Sequence, residues 1–126
     1  MIQAIMTTQD VANRYCELAK QNKWTVILDE LCAQDLVNKE PEHVIARGIQ
    51  PITKGLENVK AKGEANREKI EEIHSQHCSE PLVAGIFFSV ALSRDITFKG
   101  RPRMNLEEIA VFELKEGKII SEQFVY

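Results

Sequence analysis

Five side chains in this 126-residue chain have types and positions suited to acid–base chemistry. Three are carboxylates in or beside apolar stretches, where burial disfavours the ionised form and raises the pKa towards values useful for proton transfer. A helix tyrosine and a strand histidine add groups that can donate hydrogen bonds to a developing oxyanion. The candidate catalytic residues are Glu40, Tyr15, His74, Asp95 and Glu108.

Glu40 is the predicted general base. It ends a short predicted strand over residues 35–40 that Pro41 stops, because proline restricts the residue before it and cannot continue a strand ladder. Tyr15 lies on the apolar stripe of a predicted helix. Its hydroxyl either points into a pocket as a donor or belongs to a tyrosine of the core that reaches a nearby acceptor.

Glu108 and Asp95 interrupt apolar strands. Glu108 shares one strand face with apolar residues, so it is either a catalytic acid or the partner of an arginine such as Arg94 or Arg103. A one-residue shift of register would put Glu107 in its place. Asp95 marks either a ligand pocket on a concave face or an exposed pair at a sheet edge.

The histidines and cysteines do not have metal-ligand spacing. On a strand, His74 and His77 point to opposite faces, and His43 falls in a loop, so we expect no metal site. No phosphate-cradling glycine loop, nucleotide fingerprint or Ser–His–Asp order is present, so we expect no cofactor.

The three cysteines are an odd number without CxxC spacing, which favours small packing residues in a cytoplasmic protein.

Composition excludes two classes of partner. A formal charge of −3 without basic clusters, and 6% aromatic residues, are unlike a nucleic-acid-binding surface. The longest apolar run, residues 82–92, is far shorter than the roughly 20 residues that span a bilayer. We therefore expect neither a nucleic-acid nor a membrane partner.

The elements that position these residues follow from periodicity. Apolar spacing predicts helices over Thr8–Asn22, Trp24–Cys32 and Ile52–Arg67. The segment Glu71–Cys78 fits either a helix or a strand, and we predict a strand. In the second half of the chain apolar and polar residues alternate, and residues with a high propensity for β-strands are frequent. It predicts a long bent strand over Leu82–Phe98 with a bulge at Gly85, then strands over Met104–Leu114 and Ile119–Tyr126 that are joined by a glycine turn. Helices followed by antiparallel strands indicate an α+β order.

This order resembles the SnoaL-like, nuclear transport factor 2-like superfamily. The shared features are a tryptophan opening the second helix, a strand ending in an acid before proline, and a terminal meander, most specifically residues 107–126. The resemblance covers residues 1–126 as one domain. It implies a cone-shaped, cystatin-like α+β fold in which three N-terminal helices pack inside a strongly curved, mainly antiparallel sheet.

Within that superfamily, ketosteroid isomerase offers the nearest chemical comparison. Its helix tyrosine falls on Tyr15 and its carboxylate before proline falls on Glu40, whereas its protonated acid falls on Ile109 or Ala110, beside Glu108. The resemblance implies an apolar pocket for a small hydrophobic molecule. It is compatible with a cofactor-free isomerase, cyclase or dehydratase acting on a carbonyl compound, and with a non-catalytic ligand-binding or dimerisation module.

The strand pattern also predicts a partner for the outer sheet face. Ile109 and Val111, with Ile119 or Ile120 depending on register, fall on the convex side. Apolar residues on both faces of a sheet indicate that the second face is covered, most simply by another copy in a two-fold dimer.

Overall fold

A computed structural model describes residues 5–126. The helices are α1 (Thr8–Lys20), α2 (Trp24–Leu31) and α3 (Leu56–Arg67), and a 3₁₀ helix covers Glu42–Arg47. The strands are β1 (Cys32–Lys39), β2 (Ile52–Lys54), β3 (Ile70–Cys78), β4 (Leu82–Ala84), β5 (Phe87–Phe98), β6 (Met104–Lys115) and β7 (Lys118–Val125). No helix among residues 5–126 is long and apolar enough to cross a bilayer.

The strands form one curled, unclosed sheet that partly surrounds the helices. Its order is β2-β1-β7-β6-β5-β3, and β4 pairs with β5. β1 runs parallel to β7, whereas every other pair is antiparallel. The inner face of the sheet and the apolar faces of the helices share one core. This confirms the predicted α+β fold.

Helix α1 begins with a capping box. The hydroxyl of Thr7 accepts a hydrogen bond from the Asp10 backbone N–H at 3.1 Å, and the Asp10 carboxylate accepts one from the Thr7 N–H at 3.2 Å. The apolar stripe that predicts the helix is buried, with Val11, Tyr15 and Leu18 at most 2% exposed. The stripe therefore fixes which side of α1 faces the sheet.

The turn between β6 and β7 requires glycine. Gly117 has φ +76°, in the left-handed region where a Cβ is unfavourable. A Cβ there would also lie 2.5 Å from Ile5 Cγ2 and 3.2 Å from the Met6 carbonyl oxygen. The predicted glycine turn is confirmed, and it also brings the N-terminal segment against the hairpin.

Two predicted elements are wrong in their extent. Residues 52–54 do not begin the third helix but form β2, which pairs with β1, and Gly55 at φ +93° separates that strand from α3. The predicted long strand Leu82–Phe98 is two strands in a hairpin, because Gly85 at φ +60° reverses the chain and does not merely bulge it. The strand prediction for the segment that ends at Cys78 is confirmed.

The register of β6 settles the choice between Glu107 and Glu108. Glu108 lies on the same face as the buried Ala110 and Phe112, whereas Glu107 is exposed on the other face. A register shift in the β6–β7 pairing makes Ile119 the partner of Leu114 and buries it completely. The outer face thus carries Ile109 and Val111, as predicted, but not Ile119.

Candidate active site

The neighbouring strands β1 and β7 and the overlying helix α3 bring polar side chains together inside the curled sheet. Glu40 follows directly after β1, and its carboxylate Oε2 accepts a hydrogen bond from the Tyr126 hydroxyl at 2.9 Å. Lys62 of α3 lies on the other side, with its Nζ 3.9 Å from Glu40 Oε1. A tyrosine hydroxyl and an ammonium group thus flank the carboxylate predicted to act as base.

The same lysine links Glu40 to a second, buried carboxylate. Lys62 Nζ donates to Asn38 Oδ1 at 2.7 Å, and Asn38 Nδ2 donates to Glu122 Oε1 at 2.9 Å. Asn38 and Glu122 are register partners on β1 and β7, and they are only 4% and 6% exposed. We call the five residues Glu40, Tyr126, Lys62, Asn38 and Glu122 the Glu40 cluster.

Local structure holds Glu40 in place. Its backbone N–H donates to the Pro51 carbonyl oxygen at 2.7 Å, which extends the β1–β2 ladder by one residue. Pro41 then ends the strand and caps the 3₁₀ helix. The ring of His43 on this helix packs edge-on against Tyr126, with centroids 5.3 Å apart. The predicted loop histidine therefore borders the cluster.

Burial perturbs the titration of the cluster. It raises the pKa of Glu122 from 4.5 to about 7; the hydrogen bond from Asn38 opposes this rise and the charge of Glu40 adds to it. Burial also lowers the pKa of Lys62, although the nearby carboxylates favour its charged form. The pKa of the Tyr126 hydroxyl is raised, first by burial and then by the charge of Glu40. The cluster thus contains an acid able to keep its proton near neutral pH.

Glu108 belongs to the same electrostatic neighbourhood. The pairing of β6 with β5 and β7 places it on the inner face, next to Leu92 on one side and close to Tyr126 on the other. Burial raises the pKa of Glu108, with the charge of Arg94 opposing and that of Glu40 adding. Arg94 also lies with its guanidinium carbon 5.8 Å from the centre of the Trp24 ring. Glu40 and Glu108 therefore lie on one side of the sheet, and their catalytic roles stay predictions.

Tyr15 is part of the aromatic core beside the cluster. It is 1% exposed, and its ring centroid lies 4.6 Å from that of Phe112 and 5.9 Å from that of Phe88. Burial raises the pKa of its hydroxyl well above the ordinary range, and the charge of Glu122 is the next cause. Its packing fits the alternative of a core tyrosine, and its role as an oxyanion donor stays a prediction.

The structure places His74 and Asp95 on the opposite face of the sheet. Asp95 forms a bidentate ion pair with Arg103 at 2.6 and 2.8 Å, which lowers the pKa of Asp95. The His74 Nε2 lies 2.8 Å from the Thr97 hydroxyl, and its Nδ1 lies 3.5 Å from a carboxylate oxygen of Glu72. These two candidates do not join the Glu40 cluster, and the exposed-pair alternative describes Asp95.

Three members of the cluster were not predicted as site residues: Lys62, Asn38 and Tyr126. The mixed charges of α3 predict a solvated helix, and no local signal distinguishes Lys62 from the other lysines of that helix. The available signal for Asn38 was a polar residue in the middle of a short strand. The signal for Glu122 was clearer, because this carboxylate shares one face of the last strand with the apolar residues Ile120 and Phe124.

The structure shows two open grooves. One of about 530 Å³ lies mainly on the outer face across β3, β5, β6 and β7, and Glu108 reaches its lining. The other, of about 320 Å³, lies between α1 and residues 79–81. The predicted apolar pocket inside the cone stays a prediction. Among residues 5–126, no three histidine, cysteine or acidic side chains are grouped so that they could hold a metal ion.

The curled sheet around the helices defines a protein of the nuclear transport factor 2-like, ketosteroid isomerase-like fold. Residues 6–126 match the SnoaL-like domain family, and the chain therefore belongs to that family. No curated protein matches the chain.

Solved structures with this fold cover nearly all of the chain. A protein from Mesorhizobium loti described as a SnoaL-like polyketide cyclase and, in brackets, as a carbohydrate phosphatase is 27% identical, with a TM-score of 0.87 over 96% of this chain and 100% of its own. A nuclear transport factor 2-like protein of unknown function from Burkholderia pseudomallei is 17% identical, with a TM-score of 0.79 over 96% and 92% of the two chains. A protein with a ketosteroid isomerase-like fold from Catenulispora acidiphila, in complex with trimethylamine, is 16% identical, with a TM-score of 0.73 over 95% and 87%.

Proposed function

We propose that this protein is a cofactor-free enzyme that moves a proton on a small hydrophobic carbonyl compound, in an isomerisation, an aldol-type cyclisation or a dehydration. The observation that carries the proposal is the grouping of Glu40, Glu108 and Glu122 on one side of the sheet, with two of their pKa values raised. Carboxyl groups in different environments are suited to separate acid and base roles. The 27% identity to the protein described as a polyketide cyclase supports this class of reaction.

In this mechanism Glu40 accepts the proton next to the carbonyl. Its side chain is 17% exposed, so it is sheltered from bulk water while it still reaches the surface. Proton removal from carbon leaves negative charge on the carbonyl oxygen, and donors aimed at that oxygen lower the barrier. The Tyr126 hydroxyl and the Lys62 ammonium group, both beside Glu40, are the donors closest to the base, and Tyr15 is a further candidate from the core.

Glu108 returns the proton in this scheme. Its raised pKa favours the protonated form that an acid needs. Glu122 lies deeper, behind Asn38, and sets the charge balance of the cluster instead of meeting the substrate. With its pKa of about 7, it lets the cluster change net charge close to neutral pH.

The test is exchange of carbon-bound hydrogen. A panel of monocyclic and bicyclic ketones is incubated with the protein in D₂O, and deuterium uptake next to the carbonyl is followed by NMR. The wild type accelerates uptake for part of the panel, whereas Glu40→Gln loses about 100-fold or more of that rate because the base is removed. Glu42→Gln, two residues further on in the exposed 3₁₀ helix, is the matched control and keeps the rate.

Two results would count against the enzyme. Uptake by Glu40→Gln at the wild-type rate rejects Glu40 as the base. Buffer-level uptake for the whole panel, together with ligand-dependent changes in the fluorescence of Trp24, the only tryptophan, would favour a non-catalytic ligand-binding module.

We also propose that the outer sheet face joins two copies of the chain. Ile109, Val111 and Val125 lie side by side there and are 52%, 39% and 53% exposed. Ile109 and Val125 also line the outer groove, whose lining is mainly apolar. A second copy related by a two-fold axis presents the same residues, so one apolar surface covers the other. Light scattering with size-exclusion chromatography tests for the dimer.

A further inference from the structure

Two of the three cysteines meet in the structure although they are 62 positions apart in the sequence. Cys16 lies on the buried side of α1, and Cys78 is the last residue of β3. Their sulfur atoms are 3.2 Å apart. The third cysteine, Cys32, begins β1 and is not part of this contact. A search for CxxC spacing does not find this pair, because the fold and not the local sequence brings the two thiols together.

Cys16 has the surroundings of a reactive thiol. It is 6% exposed and lines the groove between α1 and residues 79–81. The Cys78 thiol donates a hydrogen bond to Cys16 Sγ, and Lys20 lies one helical turn further along α1. The hydrogen bond and the lysine charge lower the pKa of Cys16 against the opposing effect of burial.

Cys78 has the complementary character. The hydrogen bond to Cys16 and burial both raise the pKa of Cys78, so it stays a protonated thiol. It lines the other groove, on the outer face of the sheet. A thiol with a lowered pKa in contact with a second thiol is the arrangement in which the second thiol resolves an oxidised first one.

We propose that Cys16 and Cys78 are an oxidisable dithiol that hydrogen peroxide converts to a reversible disulfide. The Cys16 thiolate attacks one peroxide oxygen and the O–O bond breaks, which leaves a sulfenic acid on Cys16 and a hydroxide that takes up a proton to become water. The Cys78 sulfur then attacks the Cys16 sulfur, so that an S–S bond forms while the S–O bond breaks. The sulfenic oxygen takes up the Cys78 thiol proton and leaves as a second water. Two thiols and one peroxide thus give one disulfide and two waters. A shift of about 1 Å brings the sulfurs to bonding distance.

The experiment is peroxide treatment of the full chain. Thiols titrated in denaturant fall from three, the number of cysteines, to one, and the intact mass falls by that of two hydrogens. Protease mapping finds the Cys16–Cys78 cross-link, and a dithiol reductant reverses it. A cross-link between cysteines 62 positions apart also raises the Tm of the oxidised protein by roughly 15 °C.

Cysteine variants separate this pair from general thiol oxidation. Cys32→Ser still loses two thiols, whereas Cys16→Ser and Cys78→Ser form no intrachain cross-link. The proposal is overturned if the wild type keeps all three thiols, if it gains oxygen on cysteine without cross-linking, or if the cross-link includes Cys32. Because a serine variant can fail to fold, the mass, the mapped cross-link and the Tm of the wild type decide the question without it.

Discussion

Replacing the buried Glu122 by glutamine should stabilise the protein at alkaline pH but not at acidic pH. Glu122 is 6% exposed, and burial raises its pKa from 4.5 to about 7. A carboxyl whose pKa is raised by folding contributes stability that is fully present below its unfolded pKa and is lost as the pH rises through its folded pKa. Glutamine has nearly the same shape, keeps an oxygen for the Asn38 amide and cannot ionise.

The magnitude follows from the two pKa values. A rise from 4.5 to about 7 corresponds to at most about 3 kcal/mol of unfolding free energy, lost between pH 4.5 and pH 7. Glu122→Gln removes this contribution to the pH dependence. The variant should therefore match the wild type near pH 4.5 and exceed it by up to about 3 kcal/mol at pH 8.

Urea unfolding at several pH values measures the difference. Subtracting the unfolding free energy of the wild type from that of Glu122→Gln cancels the other titrating groups, to the extent that they are independent of Glu122. Glu71→Gln, which removes an exposed carboxylate on β3, is the matched control for the loss of a carboxylate outside the core. A constant offset between wild type and Glu122→Gln from pH 4.5 to pH 8 would refute the assigned pKa and with it the acid in the cluster.

Two further predictions concern the fold and its assembly. Gly117→Ala should lower the unfolding free energy by about 1–2 kcal/mol, because alanine is strained at φ +76° and its Cβ meets Ile5. Urea unfolding measures this loss of stability. An unchanged urea midpoint would contradict the prediction. Val111→Asp should convert the proposed dimer to a folded monomer by placing a charge in the proposed interface, whereas Lys54→Asp on the edge strand β2 should not. Light scattering that shows the same mass for both variants would reject the interface.

Much of the fold was predictable because most helices and strands have a clear apolar period, although the segment Glu71–Cys78 fits either period. The stripe of α1 and the alternation of β6 identify both the element and its inner face, and so place Tyr15 and Glu108 inside. The errors fall on glycines. Gly55 and Gly85 both have positive φ, but the sequence does not say whether such a glycine bulges a strand, ends it or turns it back.

The candidate site was predictable only in part, because it depends on which distant elements meet. Glu40 is marked by Pro41, and Glu122 by its apolar neighbours. Lys62 reaches the cluster because α3 packs against β1. The local sequence of the helix does not indicate this packing. His74 falls at a register shift between β3 and β5, so alternation alone could not assign its face.

Deuterium uptake by a ketone with wild type and Glu40→Gln side by side tests the central claim most directly. The wild type should show uptake well above the buffer rate, and Glu40→Gln should lose about 100-fold or more of the catalysed rate while its circular dichroism is unchanged. Equal catalysed rates in the two proteins would contradict it, because proton transfer would then not pass through Glu40.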